Sequence, residues 1–388
     1  MPRTLLAIVC ASLLAGAARA QEEGPAPVVD PPAANVPSID PTPEPGEGTN
    51  RKTGKGVTPL IAPLPFRNSQ IGWGGVLMVG LIHRFDADTT VKPSTGAIMG
   101  LASENGSWGV MGLEVARFAR DKWRARGVVG YMNLRYDFYG IGEDAGQAGR
   151  SVPLGQTIFL TSGVLLRRVV GSLYLGASVV WMETTVTLRD TVGSGQPALP
   201  NQGKTQLIAP GLQAEIDTRD VDYWPSRGSL VQAKAGFFNT ESGESGSFQR
   251  YLVAWSWYHG FRGPSLVLAT NVNVCGAPGD APFYALCSLG SGRFALRGYT
   301  QGRYRDHFAD VVQAELRGHT AGRLGAVVFG GISQVAPDAG DIFSAQVLAA
   351  GGVGLRYQLT KKYPMHLRAD FAWGRDGGLF YFSVGEAF

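Results

Sequence analysis

Long apolar runs are what this chain most plainly lacks. No stretch approaches the roughly twenty continuous apolar residues that a membrane-spanning helix requires, although 44% of its 388 residues are hydrophobic. Charge is scarce as well. Charged residues make up 17% and the formal net charge is +4, which argues against nucleic acid as the main partner. The five histidines, His83, His259, His307, His319 and His366, are scattered without metal-ligand spacing, so no metal site is expected. There is no phosphate loop, no Gly-x-Ser-x-Gly elbow and no His-Glu-x-x-His string. The sequence therefore reads as non-enzymatic and without a cofactor.

Cysteine is nearly absent. Cys10 falls in the first twenty residues, which leaves Cys275 and Cys287, a pair whose bridging is expected in an exported chain. Export itself is read from residues 1–20. Arg3 supplies a positive start, Leu5 to Leu14 an apolar run, and Ala18-Arg19-Ala20 a small-residue cleavage site, the pattern of a signal peptide. Residues 21–56, with Pro25, Pro27, Pro31, Pro32, Pro41, Pro43 and Pro45, have no apolar period and are expected to form a disordered linker.

Glycine and aromatics are plentiful, at 54 Gly, 18 Phe, 13 Tyr and 8 Trp. From residue 57 to 388 they sit in segments that alternate apolar and polar residues. Ile208, Leu212, Ala214 and Ile216 interleave with Gln213, Glu215 and Asp217, and Tyr251, Val253, Trp255 and Trp257 share one face. The opposite face carries charge: Arg135, Asp137, Glu215, Asp217, Lys234, Glu315, Arg317, Arg356, Arg368 and Asp370. A transmembrane barrel turns its apolar face to lipid and encloses polar residues around a wet lumen.

This pattern predicts an all-β fold, a single transmembrane antiparallel β-barrel. Fifteen strands can be placed, whereas an even number is needed. The missing strand is expected near Val57 to Arg67 or Gly140 to Pro153. The chain ends in Leu379-Phe380-Tyr381-Phe382-Ser383-Val384-Gly385-Glu386-Ala387-Phe388. Phe382, Val384 and Phe388, with Phe380, are expected on one face of a last strand, as the signal read by an assembly machinery. Trp73, Trp108, Trp123, Trp224 and Trp255 are candidates for aromatic girdles at the bilayer interfaces.

One stretch does not alternate: Leu296-Arg297-Gly298-Tyr299, followed by Gly302-Arg303-Tyr304-Arg305-Asp306. Together with Asp217-Thr218-Arg219-Asp220, Pro225-Ser226-Arg227-Gly228, Gln313-Ala314-Glu315-Leu316-Arg317, Gly352-Val353-Gly354-Leu355-Arg356, Arg368-Ala369-Asp370 and the terminal Phe382 to Phe388, it resembles the bacterial surface antigen barrels. These are the membrane domains of outer-membrane protein assembly factors of Bam and Tam type and of two-partner-secretion transporters.

The resemblance implies sixteen strands and a sixth extracellular loop folded back inside. Arg297 is then the loop-tip arginine, Gly298 permits the turn, and Glu315 and Asp370 are the expected inner-wall partners. It further implies residence in the bacterial outer membrane with the linker in the periplasm. The implied partners are the outer-membrane lipid bilayer, the β-barrel assembly machinery during biogenesis, and client outer-membrane or secreted proteins. The chain departs from the family pattern at Phe329-Gly330-Gly331, where many members place an acid, and before the barrel, where POTRA docking domains are usual and this chain has a proline-rich stub. The function so implied is help with insertion or translocation of proteins, the alternative being a passive or gated pore of the same fold. A soluble secreted β-protein would have to bury the apolar faces elsewhere.

Overall fold

Period-two alternation gives sixteen long strands, each with one face for the outside and one for the interior. The computed structural model describes residues 58–85, 93–189, 203–221, 224–242, 246–290, 295–359 and 366–388. The expected signal peptide and linker lie outside the described residues. The strands are β1 (Thr58–Asn68), β2 (Gly72–His83), β3 (Ser94–Ser103), β4 (Trp108–Phe118), β5 (Trp123–Phe138), β6 (Val152–Val170), β7 (Leu173–Leu188), β8 (Gly203–Asp217), β9 (Arg227–Ser242), β10 (Phe248–Pro264) and β11 (Leu266–Gly276). Two short strands, β12 (Cys287–Ser288) and β13 (Arg305–Asp306), lie within the next loop. The series resumes with β14 (Phe308–Ala321), β15 (Leu324–Ala336), β16 (Leu348–Gln358), β17 (His366–Gly374) and β18 (Gly377–Val384).

The sixteen long strands close into one antiparallel barrel in chain order, β18 returning to β1. The strand that alternation missed is β1. In Gly140 to Pro153 the chain instead forms one short helix, α1 (Glu143–Ala148). An even strand count places the start of β1 and the end of β18 at the same end of the barrel, called here the terminal end.

The outer wall is apolar. Leu77, Val79, Ile98, Val129, Val353 and Leu355 are each at least half exposed or nearly so, a band that suits lipid and not water. The interior is not the wet channel expected from the sequence. At the end away from the termini, Met132, Leu134, Phe138, Leu154, Ile158, Leu160, Met182 and Leu207 point inward and are packed by Phe283, Tyr284 and Ala285 of the loop after β11. Beside β1 a second apolar cluster joins Leu64, Phe66, Val76, Met78 and Met99. Arg135 and Asp137, expected inside, are exposed on the outer side. At that height the interior is filled by loop side chains, so the inward face must be apolar and the charges project outward into water.

Charge does line the interior nearer the terminal end. Glu215 is buried and accepts from Arg124 Nη1 at 2.8 Å, Arg126 Nη2 at 2.6 Å and Gln232 Nε2 at 2.9 Å. Trp73, Trp108 and Trp255 are exposed on the outer wall, whereas Trp224 is buried. Its segment folds beneath the interior, where the indole packs on His366 at 4.3 Å. Trp224 is therefore no girdle residue.

β18 ends at Val384, four residues short of the expected terminus. Gly385 turns the chain at φ 94°, a conformation that glycine adopts without strain. Phe380 and Phe382 remain beside Trp73, at 6.3 and 5.9 Å, and Val384 is buried in the cluster with Leu64 and Phe66. Phe388 leaves that face. It packs against buried Tyr258, Val267 and Ala269, and its carbonyl accepts from Arg317 Nη2 at 3.0 Å.

Candidate functional site

In the loop from β11 to β14, the described residues 277–290 and 295–307 form a folded hairpin. β12 and β13 pair antiparallel, Cys287 opposite Asp306 and Ser288 opposite Arg305. Tyr304 accepts from the Leu289 amide at 2.9 Å and Leu289 from the Gly302 amide at 2.7 Å. Cys275 in β11 is disulfide-bonded to Cys287, with Cα atoms 5.9 Å apart. The bridge closes the apolar lobe of the loop, which carries Phe283, against its own strand. The remainder of the hairpin reaches across the interior.

Its tip is Leu296-Arg297-Gly298-Tyr299, all buried. Arg297 donates from Nη1 to Asp370 Oδ2 at 2.6 Å and from Nη2 to a Glu315 carboxylate oxygen. Its guanidinium carbon lies 3.4 Å from the centre of the Phe329 ring, a cation–π contact that also shields the pair from water. The structure thus brings together Arg297, Glu315 and Asp370, and adds Phe329. Two residues past Phe329, Gly331 leaves room for Leu296: a Cβ there would lie 2.9 Å from the Leu296 side chain and 2.7 Å from a backbone oxygen. Glycine in place of an acid at 331 is thus a packing requirement of the tip.

Gly298 is needed for two reasons. Its φ is 109°, and a Cβ would sit 2.9 Å from backbone atoms of Trp373 and Gly374. Its amide donates to the Tyr381 hydroxyl at 3.0 Å. Tyr299 donates its hydroxyl to the Ala349 carbonyl at 2.9 Å.

The inner wall behind the tip is a chain of alternating charge. Glu315 also accepts from Arg317 Nε at 2.9 Å, Asp370 from Arg356 Nη1 at 2.5 Å, and Glu386 of the tail from Arg356 Nε at 2.8 Å. Arg317, Glu315, Arg356 and Asp370 have side-chain exposures of 0%. In such a dry setting, removing one partner strands the others, at a cost of about 3–5 kcal/mol. Burial opposes charge on Glu386, yet Arg356 and His366 hold its carboxyl below the usual carboxylate range. Alternation identifies the inward parity of Arg317, Arg356 and Arg368, but no local sequence signal shows that Glu386, past the last strand, turns inward to join them.

The tip also spans the closure of the barrel. Asn68, at the end of β1, donates to Gln301 Oε1 at 2.6 Å, and Ser69 Oγ accepts from the Gln301 amide at 3.0 Å. On the other side of the closure, Tyr381 of β18 holds Gly298 and Tyr299. One loop thus grips both edge strands from inside.

That closure is thin. All eleven residues of β1 pair with β2, but the register with β18 is the single pair Arg67 and Phe382. Proline explains the asymmetry. A ladder paired with β2 at every residue must draw its donors from positions that have an N–H, Ala62, Leu64 and Phe66, and in an antiparallel strand the alternate positions then face β18. Two of those positions are Pro63 and Pro65, which have no N–H to give. Arg67 compensates in part, its Nη1 donating to the Phe380 carbonyl at 2.8 Å. Among the described residues no group of His, Cys, Asp and Glu could hold a metal ion.

No family model matches the chain, and no curated protein does. Solved structures do share its fold. BamA from Haemophilus ducreyi lacking POTRA domains 1–3 superposes with TM-score 0.57 at 16% identity, over 85% of this chain and 70% of that one. CdiB from Acinetobacter baumannii gives 0.55 at 13%, covering 85% and 59%. CdiB from Escherichia coli gives 0.55 at 12%, covering 89% and 66%. The chain therefore spans about two thirds of the length of these neighbours. Its fold is the sixteen-stranded barrel of BamA and CdiB, the type to which its motifs pointed.

Proposed function

We propose that this chain is an outer-membrane barrel that assists insertion or translocation of other proteins, working through the closure between β1 and β18. The observation that carries the reading is that closure: one register pair, with two proline positions removing donors from its edge. Unpaired strand edges are templates for another strand. An edge that parts easily can receive one from a client, and the loop that bridges Asn68 and Tyr381 from inside is placed to hold or release it. The apolar outer wall supports residence in a bilayer, and the fold shared with BamA and CdiB supports the class.

A passive pore is the weaker reading, because apolar side chains and the folded-back loop pack the interior. Depletion of the protein followed by quantitative proteomics of the outer membrane tests the proposal. Selective loss of a set of barrel or secreted proteins is expected. An unchanged outer-membrane proteome, with altered uptake of small solutes, would favour the pore.

A further inference from the structure

At the terminal end of the barrel, the turn from β4 to β5 holds three consecutive non-glycine residues in the left-handed region: Ala119 at φ 55°, Arg120 at 58° and Asp121 at 56°. Residues with a Cβ persist there only where the surroundings enforce it, and such strain gathers at functional positions. The Asp121 carboxylate is the anchor. It accepts from Arg124 Nε at 3.0 Å and Nη2 at 2.8 Å, from Arg168 Nη2 at 2.8 Å and from the Tyr174 hydroxyl at 2.7 Å. Burial works against its ionisation, but Arg124 keeps the carboxyl below its ordinary range.

The strained turn forms one side of an open cleft of about 490 Å³ between the β4–β5 and β6–β7 turns. Four cations line it, Arg120, Lys122, Arg167 and Arg168, with Trp123 and Val170 and no carboxylate. Arg168 is committed to Asp121, whereas Lys122 and Arg167 are exposed and join no ion pair among the described residues. Arg167 lies opposite Trp123 in the β5–β6 register, its guanidinium 5.5 Å from the indole. Farther along the outer wall stand Leu165 and Leu175, both exposed.

Each component matches part of a lipid. Cations at a strand end attract phosphate, an indole favours the headgroup depth, and aliphatic side chains above them favour acyl chains. A soluble anion would use the cations alone. We propose that this cleft binds an anionic glycerophospholipid, its phosphate held by Lys122 and Arg167 and its acyl chains lying along Leu165 and Leu175. The site rests on the reading of the chain as a membrane barrel.

The test uses the full-length protein in nanodiscs that mix phosphatidylglycerol and phosphatidylcholine, with native mass spectrometry of the lipids carried out with it. Wild type is expected to retain phosphatidylglycerol preferentially. In Lys122→Gln/Arg167→Gln the preference should fall about thirtyfold, the effect of two cations at a lipid surface. Heat-modifiable migration shows whether the variant is folded, and both positions lie outside the Asp121 anchor. A properly incorporated wild type that retains the two lipids equally would overturn the proposal. Displacement of the lipid by excess inorganic phosphate would mean a free-anion site, and would overturn it too. Failure of wild type to enter nanodiscs at all would overturn the membrane-barrel reading itself.

Discussion

Arg297 and Asp370 stand 73 residues apart in the chain and meet at 2.6 Å inside the barrel. The contact joins a loop to the wall of β17, and Glu315 on β14 completes the clamp. Replacing Arg297 with Ala leaves two buried carboxylates that still touch Arg317 and Arg356. The expected loss is about 3–5 kcal/mol, carried by the loop and not by the strand ladder. Limited proteolysis should cut the loop in Arg297→Ala while heat-modifiable migration of the barrel persists. Arg297→Lys should restore protection only in part, since an ammonium keeps the charge but loses the fork and the flat stacking on Phe329.

Gly298→Ala tests the close approach without touching charge. A Cβ would press on the β17 backbone at 2.9 Å, at a φ of 109°. The tip cannot yield without pulling Arg297 from its partners. Loop protection should therefore fall as far as in Arg297→Ala, and protection equal to wild type would show that the tip is not seated against β17.

Much of this was legible in the sequence, and its gaps have physical causes. Alternation places every long strand except β1, where Pro59, Pro63 and Pro65 break the usual composition of a strand although Ala62, Leu64 and Phe66 keep the period. The same prolines thin the closure, so the feature that hid the strand is the one that matters. Alternation separates two faces but does not say which one is inside. Glu215, Glu315 and Asp370 face inward, whereas Arg135 and Asp137 do not, because long-range packing of Phe283 and Tyr284 makes the interior apolar at their level. The inward turn at Gly385 is likewise a tertiary event. It takes Phe388 off the face it would share with Phe382 in a continuous strand.

The tail offers a pH test. Because folding depresses the Glu386 carboxyl, its contribution is present above the ordinary value of about 4.5 and is lost only as pH falls through the lower folded value. The tail should resist carboxypeptidase fully from neutral pH down to about 4.5 and lose that resistance progressively as the pH falls further toward the lower folded value. Glu386→Gln should expose Phe388 already at neutral pH. Equal resistance of variant and wild type at neutral pH would show that the Arg356 contact does not hold the tail.

Cys275 and Cys287 enclose a short segment, twelve positions apart in sequence. A closed loop of this size contributes roughly 3 kcal/mol in the chain-entropy model. Cys275→Ser/Cys287→Ser should therefore loosen the lobe carrying Phe283, read as faster hydrogen exchange there, with exchange in β14 to β18 unchanged. Equal exchange in both proteins would mean that packing alone holds the lobe.

The proposed function requires β1 and β18 to part. Arg67 and Phe382 face each other across the closure, so Arg67→Cys/Phe382→Cys places two thiols at a distance a disulfide can span. The decisive measurement is rescue of a depleted strain by this variant, oxidised and reduced, beside wild type under the same treatments. The expected result is a folded barrel that fails to restore client levels while the cross-link is intact and restores them on reduction. Full rescue by the quantitatively cross-linked protein would contradict it.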